Sequence, residues 1–382
     1  MTVRILAVGD PAVYAYTDES LGILSRCRTV TGHGVQFDIL PWDQYGERVF
    51  QEAASDAPSY DVIMVAGHLW LPQCVEAGWL APVSGAPALH ASGYRADDIL
   101  PGVAREMCYR DEQYLVPSFS DGHVLYAHDG FGELLDGDGR GDVTRFPAEV
   151  ARRRSSGDRF PLVMKKAPSE VFLDWLPYLR SLGGAFLDDT GAPAFAGREG
   201  REAAGVYREL CSVLDPASAP WGNEEVATAL RERRAAFGVS WGGQAGEIVS
   251  DAARETLSYA TLSRPWNVTW SFAVLARASC RTAAEEVLAV LSDATTDRLV
   301  GRYAGSPCRV SSYADPDLRR ECPWFTAQED LLATAEPLPA RPDLPALLGP
   351  ISTALTEIVD GGADITDALD RAATATAAIQ SQ

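Results

Sequence analysis

Three short apolar runs near the start of the chain, each stopped by a turn residue, do most to limit what it can fold into. Residues 3–8 end at Gly9-Asp10, Val35 to Leu40 alternates and stops at Pro41, and Tyr60 to Val65 ends at Ala66-Gly67-His68. Runs of this length bounded in this way read as strands buried in a largely parallel sheet. The spacing predicts helices over Val13 to Cys27, Gln44 to Ala54 and Leu71 to Ala77. The order β-α-β-α-β-α places the chain in the α/β class. In such sheets ligands gather off the carboxyl ends of the strands. Gly9-Asp10, Pro41-Trp42-Asp43 and Gly67-His68 hold those positions.

A second feature is the stretch Leu115 to His128, LVPSFSDGHVLYAH. It reads as a strand, a proline, a polar run and a second strand, where the chain leaves one lobe and enters another. On that reading Ser118, Ser120, Asp121 and His123 lie near the floor of an interlobe cleft. Residues 132–160, rich in Gly, Asp and Arg, read as a surface excursion. Leu162 to Lys165 reads as a strand. Ser169 is expected to cap a helix carrying Phe172, Trp175, Leu176, Leu179 and Leu182, with Gly183-Gly184 ending it. Glu199 to Leu214 and Glu225 to Arg234 read as helices, Ala236 to Trp241 and Val268 to Leu275 as strands, and Ala283 to Leu291 as a helix. Two more helices are expected from about residue 347.

Composition excludes some functions. The formal net charge of −20 over 382 residues is repelled by polyphosphate, so nucleic acid is not an expected partner. Basic residues are nearly all Arg, as a GC-rich coding sequence gives. No run approaches a membrane span, so no membrane insertion is expected. The first apolar run is too short for a signal peptide. The seven cysteines are scattered and form no C-x-x-C, so a zinc site is not expected and a reducing compartment is favoured. Both features point to the cytoplasm as the chain stands, or outside it if a leader was removed. With no Walker A loop and no dinucleotide fingerprint, no cofactor is expected.

Several segments, taken in order, resemble one family. They are YDVIMVAGHLWLPQCVEAGWLAPVS (60–84), DDILPGVAREMCYRDEQYLVPSFSDGHVLYAHDGF (97–131), WLPYLRSLGGAFLDDTGAPAFAGREGREAA (175–204), LRERRAAFGVSWGG (230–243), WSFAVLARASCRTAAEEVLAVLSD (270–293) and GSPCRVSSYADP (305–316). Together they are similar to the family 1 extracellular solute-binding proteins of ABC importers, the maltose-binding-protein group. Two departures stand out: Ala127-His128-Asp129 where the family usually has Tyr-Asn-Lys, and Arg233-Arg234 where it has Gly-Lys. The resemblance implies a type II periplasmic-binding-protein-like fold, with two α/β lobes, three crossings and a ligand cleft. The crossings map near 117–121, 262–270 and 308–314. Lobe one is then 1–117 plus 268–310, and lobe two 119–266 plus 312–382. It also implies a monomer that binds a small polar, carbohydrate-like ligand and serves ABC permease subunits, with closure by hinge motion. A second reading is a cytoplasmic enzyme or ligand carrier recruited from the same fold.

Candidate residues follow from both arguments. Trp175, Trp221, Trp241, Trp266 and Trp270 fall in segments that line the family's cleft, and Trp42 follows a strand end. Indole rings pack against flat sugar faces, and equally well against a core. Trp241 and Trp266 sit at a strand end and a crossing; Trp175 lies on an apolar helix stripe and reads as core. Asp10 is either a ligand contact or a helix cap, and His68 either a ligand contact or a loop residue. Ser120 and Asp121 can accept ligand hydroxyls. If the chain is an enzyme, His68, Asp10, Asp121 and His123 form its acid–base set. His123 and His128 are five apart, face opposite sides of a strand and make no metal pair.

Two motifs mislead. Gly238-Val239-Ser240-Trp241-Gly242 matches the G-x-S-x-G nucleophile elbow, but all five histidines precede Ser240 and that fold needs one after it. Asp136 to Gly141 looks like a calcium loop, but Arg140 occupies a ligand position and no glutamate closes it.

Overall fold

The computed structural model describes residues 1–218, 220–249 and 256–381, with the side chain of His68 set aside. Among the described residues the strands are β1 (Thr2–Val8), β2 (Gly34–Leu40), β3 (Val62–Ala66), β4 (Cys108–Tyr109), β5 (Glu112–Gln113), β6 (Leu115–His128), β7 (Leu162–Val163), β8 (Phe237–Trp241), β9 (Leu257–Thr261) and β10 (Asn267–Val274). The chain divides into two units. Unit 1 holds 1–122 and 267–342; unit 2 holds 123–266 and 343–382. The chain passes between them after Gly122, Trp266 and Pro342.

Unit 1 is built on the sheet order β2-β1-β3-β10-β6. β1 runs parallel to β2 and β3, and β10 runs antiparallel to both β3 and β6. Thus β1, β2, β3 and the first half of β6 point the same way. Their carboxyl ends share one edge with the start of β10. The expected Val13 to Cys27 helix is two helices, Pro11–Thr17 and Ile23–Thr31. They are split by a turn in which Asp18 accepts from Ser20 N–H and Gly22 takes φ 64°, a left-handed conformation natural to glycine. Asp10 caps the first helix, with Pro11 at its first position.

Strand β6 is continuous where a proline-broken pair was expected. Ser271 pairs with Pro117 and Trp270 with Phe119, which leaves Ser118 as the extra residue of a bulge. Pro117 has no N–H to donate, and a bulge is where a strand accommodates that. The Ser118 hydroxyl hydrogen-bonds Tyr16 Oη at 2.9 Å.

The third passage lies later than the expected 308–314. Residues 312–342, assigned by the sequence to lobe two, belong to unit 1. Buried hydrogen bonds explain this. Arg309 donates to the carbonyls of Ser292 and Arg95, Ser311 to Asp98, and Ser312 to Asp297. Further along, Gln328 Nε2 donates to the Ser120 carbonyl.

Unit 2 has the sheet order β9-β6-β8-β7. The second half of β6 runs antiparallel to β8 and β9, and β7 runs parallel to β8. The carboxyl ends of β7, β8 and β9 therefore meet the start of this half of β6, at His123. Part of the expected surface excursion is a helix, Phe146–Ser155, that buries Phe146, Glu149 and Val150. The helix after β7 spans Val171–Ser181 with Glu170, not Ser169, at its cap position. Helix Arg198–Ser212 buries Ala203, Tyr207 and Leu210 at helical spacing. The tail helices are Leu344–Val359 and Ile365–Gln380. Among the described residues no helix is long and apolar enough to cross a membrane. None of the seven cysteines is in a disulfide.

Two tests address this packing. Gly238 pairs with Val163 between β8 and β7, and a Cβ there would meet the Val163 carbonyl oxygen at 2.6 Å. Gly238→Ala is expected to lower unfolding free energy by about 1–3 kcal/mol in urea titration; an unchanged midpoint would contradict the pairing. Burial pushes the Asp297 carboxyl up to about 6, against hydrogen bonds from Ser312 and the Cys308 N–H. An acid raised in this way stabilises the fold below its unfolded value near 3.8 and loses that contribution as pH rises through 6. The stability of wild type relative to Asp297→Asn should fall by up to about 3 kcal/mol between pH 4 and pH 7. A difference that stays constant with pH would be inconsistent with this environment.

Candidate functional site

The carboxyl edge of the unit 1 sheet gathers several of the residues singled out in the sequence. Off β1, Asp10 Oδ1 accepts the Ala12 N–H at 2.8 Å, which is its capping role. Off β2, Trp42 opens the helix Trp42–Ala54 and keeps 37% of its surface exposed. Its ring stacks on Trp70 with centroids 5.9 Å apart and meets the edge of Trp270 at the same distance. Trp70 and Trp270 cross at 5.5 Å, and Tyr45 packs against both. The result is an indole cluster with one partly open ring. Trp70 is absent from the candidates read in the sequence; its place three residues after Gly67, off β3, is the signal that could have found it.

Gly67 and His68 do not form a loop, because the helix Gly67–Glu76 starts directly after β3. His68 is the second residue of that helix, and its side chain lies outside the described residues. Ser120 is engaged by the fold: its hydroxyl bonds Thr269 Oγ1 at 2.9 Å and its carbonyl accepts from Gln328. Asp121 is buried and accepts from the Gly122 N–H at 2.7 Å and from Ser306 Oγ at 3.5 Å. Two further residues at this edge escaped the sequence reading. Asn267 Nδ2 donates to Glu106 Oε1 at 2.5 Å. Burial pushes the Glu106 carboxyl up despite bonds from Thr269 and Asn267. The edge thus carries three carboxyl groups, which accept hydroxyl donors, near an indole cluster.

The carboxyl edge of unit 2 carries a buried ionic cluster. Lys165, just beyond β7, is fully buried, with Nζ 2.9 Å from Asp174 Oδ1 and 3.2 Å from Glu170 Oε2. Burial alone would lower the lysine; the Asp174 and Glu170 carboxylates outweigh it and hold it above its ordinary range. Burial would likewise raise Asp174, and the Lys165 ammonium holds it down instead. His123 Nε2 lies 3.1 Å from Lys165 Nζ, and burial together with that ammonium pushes the imidazole down, so it is neutral. The rings close over this group. Trp241 lies 4.3 Å from His123, carries Lys165 Nζ 4.2 Å from its centroid, and donates Nε1–H to Glu170 at 3.3 Å. Trp266 stands edge-on to both His123 and Trp241.

The other candidates separate from this group. Trp221 is half-buried under the Arg234 guanidinium, and its carbonyl accepts the N–H groups of Lys166 and Ala167, which places it beside the exit of β7. Trp175 is fully buried against Phe172, the core alternative considered for it. His128 lies at the far end of β6 and donates Nε2–H to the Leu230 carbonyl at 2.8 Å, with Nδ1 3.1 Å from Thr256 Oγ1. The proposed acid–base set divides between the units: Asp10, His68 and Asp121 belong to unit 1 and His123 to unit 2. Ser240 is fully buried inside β8, not on a strand-to-helix elbow. Asp136 spends Oδ1 on the N–H groups of Asp138 and Arg140, a local turn. Among the described residues no group of three or more His, Cys, Asp or Glu side chains could hold a metal ion.

Comparison with known proteins agrees with this architecture. Residues 27–130 match the family model described as bacterial extracellular solute-binding protein. A curated relative from Sinorhizobium fredii, named probable amino-acid ABC transporter periplasmic-binding protein, is 24% identical over 323 residues, covering 80% of this chain and 73% of the relative. Maltose-bound MalE3 of T. maritima superposes with a TM-score of 0.86 at 17% identity, over 99% of both chains. A ribitol complex of an ABC transporter solute-binding protein from Agrobacterium radiobacter K84 gives 0.84 at 18% identity, over 98% of this chain and 97% of that one. At these identities the shared property is the fold. The chain has the two-lobed α/β fold of these solute-binding proteins, and residues 27–130 carry the family's sequence pattern.

Electrostatics of the unit 2 cluster gives a direct test. Lys165→Met leaves Asp174 and Glu170 buried without their cation, which typically costs about 3–5 kcal/mol. Urea unfolding should register that loss; a change under about 1 kcal/mol would show that the lysine does not neutralise the pair.

Proposed function

We propose that this chain is a solute-binding protein of an ABC importer. It takes a small polar, carbohydrate-like solute and hands it, as a monomer, to the importer's permease subunits on the outer side of the cytoplasmic membrane. The observation that carries this reading is the partly open indole cluster of Trp42, Trp70 and Trp270 at the same sheet edge as Asp10, Asp121 and Glu106. A sugar or polyol offers an apolar C–H face, which packs on an indole, and a rim of hydroxyls, which donate to carboxylates. Both chemistries meet at that edge. The maltose and ribitol complexes of proteins with this fold support the same class of solute.

Calorimetry with maltose, with ribitol and with a mixture of L-amino acids tests the reading. Binding of maltose or ribitol, with the solute recovered unchanged, is the expected result. A ligand that binds the native state also raises the melting temperature as its concentration rises. Trp42→Ala and Trp270→Ala should each weaken that binding by about 10-fold or more, through loss of the stacked face. Binding of amino acids alone would move the solute class to the one named for the curated relative, and chemical conversion of the solute would overturn a transport role.

A further inference from the structure

At the unit 2 edge, one buried nitrogen has no task in the fold. His123 is 1% exposed. An ammonium can only donate hydrogen bonds, so Nε2, bonded to Lys165 Nζ at 3.1 Å, is the acceptor nitrogen of the ring. Asp174 Oδ1 lies equally close to Nε2 but off the hydrogen-bonding direction. The imidazole is neutral, so its proton sits on Nδ1. That Nδ1–H points away from Lys165 and finds no hydrogen-bond partner among the described residues. A buried donor left unmet is costly, and such groups call for an explanation. Here the group stands at a strand edge where α/β sheets receive ligands, between two indole rings.

We infer that His123 donates a hydrogen bond from Nδ1 to an acceptor oxygen of the bound solute, that Lys165 is the positioning residue that fixes this tautomer, and that the solute is an uncharged polyhydroxy compound. This inference rests on the solute-binding reading. Trp241 and Trp266 keep water from competing for the donor. Trp266 lies on the connection between β9 and β10, two residues after the exposed Arg264, and on this inference solute reaches the imidazole by displacing its ring. The charge balance sets the solute class. Glu170 and Asp174 outnumber Lys165, so an anionic analogue meets like charge where a neutral one does not.

The test compares wild type with His123→Phe, which keeps a ring between the indoles and removes the nitrogens. The probe is maltose or ribitol, whichever wild type binds, beside the matching acid, maltobionate or ribonate. His123→Phe is expected to remain folded without probe, since Asp174 and Glu170 still hold Lys165, and to bind the probe at least about 10-fold more weakly. His123→Asn sets an amide N–H near the place of Nδ1–H and should recover part of that affinity. Wild type should bind the acid at least about 10-fold more weakly than the neutral probe. Nitrogen NMR should find the Nδ1–H tautomer in wild type and a shift toward Nε2–H in Lys165→Met. Equal probe affinity in wild type and His123→Phe overturns the inference and leaves the solute-binding reading intact. Equal affinity for acid and neutral probe overturns the inferred solute class. Failure of wild type to bind either sugar or polyol overturns the reading and the inference together.

Discussion

Fourteen consecutive residues, Leu115 to His128, are all buried, and every one of their backbone polar groups must be satisfied inside the protein. β6 meets that demand by changing partners along its length. Its first half lies on β10 in unit 1; its second half lies between β8 and β9 in unit 2. Pro117 is the one residue that cannot donate, and the bulge at Ser118 absorbs it. The rest of the architecture follows from this strand. Its direction sets the carboxyl edge of each sheet, and its change of partner places Asp121 and His123 at those two edges.

The same edges explain which features of the fold could be read in the sequence. β1, β2 and β3 announce themselves because a strand buried on both faces must be apolar and must stop at a turn residue. The chain's resemblance to solute-binding proteins rests on segments from residue 60 onward, of which only the first holds one of these strands, and the superposition on known structures supports the shared fold over nearly the full length. Three features stayed hidden for physical reasons. Gly22 splits one helical pattern into two helices, and periodicity alone does not register a left-handed residue. The helix Phe146–Ser155 lies in a stretch whose charge masks its apolar face. The third passage could not be located, because what ties residues 308–312 to unit 1 is a set of side-chain bonds to Ser292, Arg95, Asp98 and Asp297.

The candidate site was legible only where position along a strand decides it. Asp10, Trp42 and Trp241 stand at or just past strand ends, where the edge rule reaches them, whereas Asp121 and His123 came from reading Leu115 to His128 as a crossing. Lys165, Glu170 and Asp174 gave no signal, since a lysine near two acidic residues usually marks a solvated surface. Only the fold, joining Lys165 to His123 across 42 positions, turns them into a buried cluster. The pairing of Glu106 with Asn267 across 161 positions is hidden for the same reason.

The central proposal is that solute is held at the carboxyl edge of the unit 1 sheet, on the indole cluster of Trp42, Trp70 and Trp270. Amide hydrogen exchange with and without maltose or ribitol, whichever binds, tests it most directly. The account predicts slowed exchange in the segments around Trp42, Gly67 and Trp270. Protection confined to the groove lined by Val30, Ala88, Tyr94 and Ala289, away from that edge, would contradict it.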